Sequence, residues 1–178
     1  MALKNRKDMD PRFQWKLSDI FETPEVWEKA YAKASTAVEA LDQLEGTLKQ
    51  SPESLKAGLD QIYAATEQVE LVYLYANLMK SGDNGDPEAQ RLEGRAMSLY
   101  VRLSTALSFV DPEILSIPKE SLDAWLQLPE LKEYRHILED TDRQRPYSLP
   151  AAQEKMLARC RMQQAHRTRP LPCWRAWI

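Results

Sequence analysis

The sequence is poor in the residues that most enzyme sites and small stabilised folds are built from. It has two cysteines in 178 residues, Cys160 and Cys173, and both lie near the C-terminal end, so no disulfide framework or zinc-finger spacing is available. Two separated histidines, His136 and His166, cannot form an HExxH helix. Neither GxxxxGK[ST] nor GxGxxG occurs, and no Cys/His pairing marks a nucleophile. No run approaches the roughly 20 apolar residues of a membrane span. The opening MALKNRKDMDPR is charged and lacks the apolar core of a signal peptide. Five glycines and three phenylalanines, against many Ala, Leu, Glu, Gln and Lys, disfavour sheet and favour helix. A reduced cytoplasmic helical protein is the expectation.

Acidic charge is missing from one end. None of the 27 acidic residues follows Cys160, whereas four of the 24 basic ones do, so the first 159 residues carry −7 and the last nineteen +4. An acidic body of this kind does not favour phosphate contacts, and nucleic acid is not an expected partner; neither is a membrane.

What the sequence does contain is a repeated helix-start grammar. Thr23-Pro24-Glu25, Ser51-Pro52-Glu53, Asp86-Pro87-Glu88 and Asp111-Pro112-Glu113 each offer a capping side chain, a proline at the first helical position and a carboxylate near the positive helix end. Apolar residues then recur at three-to-four spacing. The first helix shows Trp27, Tyr31, Ala34, Val38, Leu41 and Leu44. The second shows Leu55, Leu59, Ile62, Val69, Val72 and Ala76, stopping near Gly82. The third shows Leu92, Ala96, Leu99, Leu103 and Leu107. Three long helices with short polar connections predict an all-α antiparallel bundle. Shorter elements follow over 112–117, 118–126 and 129–142, with a last helix from about Pro150 through Met156-Leu157.

Few side chains invite a chemical reading. His136, in YRHILED, reads as a surface or packing residue rather than a ligand. SGDNGDPE lacks the alternating ligands and closing glutamate of a calcium loop and reads as a helix connection. Tyr73 and Tyr75 lie on different faces of one helix, so they read as core, or one of them as open to a partner surface. EDTDRQR reads as a solvated helix end. No catalytic, cofactor-binding or metal-binding residue is assigned.

Several stretches together resemble a family. FQWKLSDIF after Arg12 and followed by Trp27, LVYLYANLMKSGDN, LSFVDPEILSIP and LPELKEYRHILEDTDRQRPYSLPAAQEKMLA are similar, in order and spacing, to the N-terminal region of oligoendopeptidase F, a bacterial zinc metallo-oligopeptidase of the thimet-like group. The resemblance covers about Arg12 to Ala165. Two departures stand out: Tyr147 replaces a histidine common after Arg-Pro, and Pro150-Ala151 replaces the usual Ser-Glu helix start. The resemblance implies an N-terminal helical lid over a larger catalytic part that carries HExxH, a further glutamate and zinc, and encloses short peptides. No position of this chain matches those catalytic residues. The implied organisation is an N-terminal segment 1–22, a lid domain 23–159 and a non-native tail 160–178. The missing catalytic domain is then the partner, oligopeptide is a substrate only of the intact enzyme, and self-association through the uncovered face is expected. The alternative is a stand-alone helical interaction module without peptidase activity.

The tail, HRTRPLPCWRAWI, can be read one frame over. Cys173-Trp174 forces a leucine codon and Trp177-Ile178 an aspartate codon, and permitted codons give Asp-Thr-Ala-Phe-Thr-Met-Leu-Glu-Ser-Val-Asp from Arg167 onward. That string is similar to the family's continuation, so a frameshift near Ala165-His166 is the expectation. A natural unstructured tail and an Arg/Trp-rich functional arm are the alternatives. Pro170 and Pro172 prevent the latter from forming a membrane-surface helix.

Overall fold

The computed structural model describes residues 9–147. These contain six α-helices and no strand: α1 Pro24–Ala40, α2 Pro52–Gly82, α3 Pro87–Ala106, α4 Val110–Ser116, α5 Lys119–Trp125 and α6 Arg135–Arg143. The expected all-α class is observed. None of these helices is long and apolar enough to cross a membrane. The tail, both cysteines, His166 and the helix expected from Pro150 lie outside the described residues.

The residues fall into two compact units: 9–43 with 59–103, and 44–58 with 104–147. The first contains α1, most of α2 and most of α3. Its contacts fix the helix directions. Lys80 pairs with Glu93 while Tyr73 meets Tyr100, so α2 and α3 run antiparallel. Glu28 pairs with Arg95 and Glu39 with Arg102, so α1 and α3 run parallel. Trp27 reaches Val72 and Phe21 reaches Tyr75, which sets α1 against α2 in the opposite sense. The up-down-up arrangement expected of short connections results.

Caps explain where these helices begin. Ser51 Oγ accepts the Ser54 N–H at 3.1 Å, and Asp86 Oδ1 accepts the Glu88 N–H at 2.9 Å, satisfying donors that a first helical turn leaves open. Thr23 occupies the N-cap of α1 without a side-chain cap, and its hydroxyl serves the Glu25 carboxylate instead. The fourth expected start is displaced. The chain stays helical through a tighter 3-10 turn, Leu107–Phe109, and α4 begins at Val110, so Asp111 and Pro112 sit inside its first turn. Proline is tolerated there because the first-turn N–H groups have no intrahelical acceptor. The first helix is also shorter than its apolar pattern: α1 ends at Ala40 and Leu41–Leu44 form a 3-10 turn. The stretch expected over 129–142 divides into a 3-10 turn, Pro129–Leu131, and α6.

The second unit is organised around a carboxylate. Glu113 is 8% exposed, the one charged residue in the buried class among the described residues. Its oxygens accept the Gly46 N–H at 2.7 Å and the Lys49 N–H at 3.3 Å. Gly46 has φ +88°, a left-handed conformation that side chains resist, and it turns the chain toward the start of α2. Leu48 and Leu55, and Ile114, Leu122, Leu131 and Leu138 further on, fill the core of this unit. Lys119 Nζ holds Asp142 at 3.0 Å, and Arg145 pairs with Asp142 and donates to the Leu115 carbonyl. Part of the acidic-basic run expected to be a solvated helix end therefore ties α6 to α4 and α5, because Asp142 is reached by cations from both sides.

Candidate interaction surface

α2 is apolar on two sides. Its inner face, with Val69, Val72 and Ala76 fully buried, meets the rest of the first unit. On the other side Tyr63, Leu71 and Leu74 are 40%, 42% and 44% exposed, and Leu78 is half-buried. At 100° per residue these four fall within an arc of about 80°, opposite the buried stripe. Only Glu67 interrupts the three-to-four spacing. Between Lys56 and Lys80 every charged residue of α2 is acidic: Asp60, Glu67 and Glu70. The corresponding outer positions of α3 are polar, among them Arg91, Ser98 and Arg102. A helix that is apolar all round normally has neighbours on both sides.

One edge of this face is bounded by aromatic rings. Tyr75 is buried, and Phe21 meets it edge-on with centroids 5.5 Å apart. Burial raises the Tyr75 phenol above its usual pKa. Tyr73 is half-buried and tilts against Tyr100 at 5.7 Å. Of the two tyrosines singled out by sequence, neither heads the open face. Tyr63 and the two leucines do, and the signal that finds them is a second apolar stripe weaker than the first. In the N-terminal segment Phe13 and Trp15 are 73% and 59% exposed, within the motif that carried the family resemblance.

The remaining chemistry of the described residues is structural. Trp27 is fully buried, stacked on Tyr31 at 5.3 Å, and covered by the Arg95 guanidinium at 5.2 Å. Arg95 also lies 4.5 Å from the Tyr31 ring and holds both Glu28 oxygens, and that hydrogen bonding keeps the Glu28 carboxyl below its usual pKa. His136 is exposed on α6, its Nε2 3.5 Å from Asp140. Asp83 accepts the Gly85 N–H at 3.0 Å and Asp86 caps α3, so the SGDNGDPE loop spends two of its carboxylates on its own backbone. Among the described residues no three His, Cys, Asp or Glu side chains gather as a metal-ligand group.

A family model described as Oligopeptidase F matches residues 113–162. Over 157 residues, 87% of this chain, the sequence is 30% identical to the plasmid oligoendopeptidase F of Lactococcus lactis subsp. cremoris, covering 26% of that protein. It is 31% identical to the oligopeptidase PepF of Bacillus subtilis over 88% of this chain and 23% of that one. The crystal structure of oligoendopeptidase-F from Enterococcus faecium superimposes with a TM-score of 0.68 at 28% identity, over 76% of this chain and 27% of that one. The chain matches the N-terminal part of the oligoendopeptidase F family. It spans about a quarter of the length of the curated relatives it matches.

Proposed function

We propose that this chain is the N-terminal helical part of a zinc-dependent oligopeptidase that hydrolyses short peptides, and that it serves as a lid over the substrate cavity. The observation that carries the reading is the match of 87% of the chain to only 26% of a Lactococcus lactis oligoendopeptidase F. The described residues do not fit a zinc site, since no cluster of ligand side chains is present among them. Zinc supplies the activated water of the family's reaction when bound; the residues for it belong to the catalytic part, and no step of hydrolysis is assigned to this chain. Its contribution is enclosure: rigid helices that restrict access to peptides small enough to enter. The site of action in this proposal is the cytoplasm.

A second reading, a stand-alone interaction module, draws support from the open apolar face of α2. The nucleotide sequence separates the two. If the lid reading is right, DNA beyond codon 165, read one base out of frame with residues 166–178, encodes the Phe-x-Met-Leu continuation and then an HExxH motif. Absence of HExxH from every downstream frame favours the interaction module.

A further inference from the structure

We infer that the outer face of α2, carried by Tyr63, Leu71, Leu74 and Leu78, is the surface on which the polypeptide that follows this region in oligoendopeptidase F docks, and that the docking polypeptide presents to it an apolar patch with a basic rim. The inference rests on the lid reading above and names the partner of that lid.

Three observations support it. Tyr63, Leu71 and Leu74 keep 40–44% of their area open on a helix whose opposite side is fully buried. Large apolar side chains aligned along one face, rather than scattered singly, mark an interaction site. The charges nearest the two leucines are of one sign, Glu67 and Glu70, and Lys56 enters the same arc only at the start of the helix, one turn before Asp60. Two copies of this face paired about Leu71 and Leu74 would bring Glu67 and Glu70 against their own kind, which disfavours a symmetric dimer there and favours basic groups on the occupant. Finally, the matched region is 26% of the Lactococcus lactis relative's length, so the remainder of that enzyme supplies an occupant that is tethered to the lid.

The test grafts residues 9–159 of this chain onto the full-length Lactococcus lactis enzyme in place of its matching region. Three versions are compared: the graft itself, Leu71→Gln with Leu74→Gln, and Glu67→Lys with Glu70→Lys. Leucine and glutamine have similar helix propensity, and both leucines are exposed in the chain, so the isolated 178-residue chain should keep its thermal midpoint with either pair. In the graft both pairs should lower the midpoint, by about 4 °C or more, and reduce hydrolysis of a short fluorogenic peptide. The same substitutions at the aligned positions of the intact Bacillus subtilis relative should act alike and provide the measurement if the graft does not fold. Substitutions tolerated in the graft, or in that relative, as well as in the isolated chain overturn the docking inference and leave the lid reading standing. A folded graft that hydrolyses no peptide, yet is destabilised by the substitutions, counts against the lid reading and supports the docking face.

Discussion

The indole Nε1–H of Trp27 donates to the main-chain carbonyl of Val72 at 3.0 Å, with both residues fully buried. One side chain of α1 thereby bonds to the backbone of α2 while Arg95 of α3 covers its ring. The three long helices meet at this tryptophan. Trp27→Phe removes the donor and part of the ring, and Trp27→Ala removes nearly the whole packed volume. The alanine variant should lose about 3–5 kcal/mol of stability, and the phenylalanine variant less. Urea denaturation followed by circular dichroism measures both. A loss under about 1 kcal/mol for Trp27→Ala would mean the bundle does not depend on this contact.

The Glu113 carboxylate acts as a backbone clamp in the second unit, holding the Gly46 and Lys49 N–H groups of the turn before α2. Glu113→Ala leaves those donors without their acceptor and should cost about 1–3 kcal/mol. Gly46→Ala should destabilise through the left-handed backbone alone, by about 1 kcal/mol, because an added Cβ would meet nothing within 4 Å. Amide hydrogen exchange gives a sharper check. Faster exchange at Gly46 and Lys49 is expected in Glu113→Ala, and unchanged protection there would remove the clamp.

Acid stability has an assignable contribution. Asp142 is held below the usual aspartate pKa, first by the Lys119 hydrogen bond and then, against the effect of burial, by Arg145. A carboxyl whose folded pKa is depressed contributes stability that is present above the unfolded value, about 3.9, and is lost as pH falls through the folded value. Thermal midpoints should therefore drop below about pH 4, and Asp142→Asn should flatten that drop while lowering stability at neutral pH. An unaltered acid limb in the variant would show that other carboxylates carry it.

Much of this fold is legible in the sequence because helix boundaries are set by local chemistry. Ser51-Pro52 and Asp86-Pro87 mark where α2 and α3 start, and Gly82 marks where α2 stops. Asp111-Pro112 misleads for the same reason: the signal for a start is there, but nothing between Leu107 and Val110 forces the preceding helix to stop, so α4 begins at Val110. The open face of α2 was hidden by its own inner stripe, since a periodicity reading follows the strongest apolar row and passes over Tyr63, Leu71 and Leu74. Glu113 looked like an ordinary first-turn acid. Its burial depends on Gly46 and Lys49, which lie more than sixty residues away, and no local pattern reveals such a pairing.

The most direct test of the central claim is a peptidase assay on the purified 178-residue chain, with zinc added and short peptides as substrates. The account predicts no chelator-sensitive hydrolysis above background. Appreciable hydrolysis that zinc restores and a chelator abolishes would contradict the assignment of this chain as a lid without catalysis of its own.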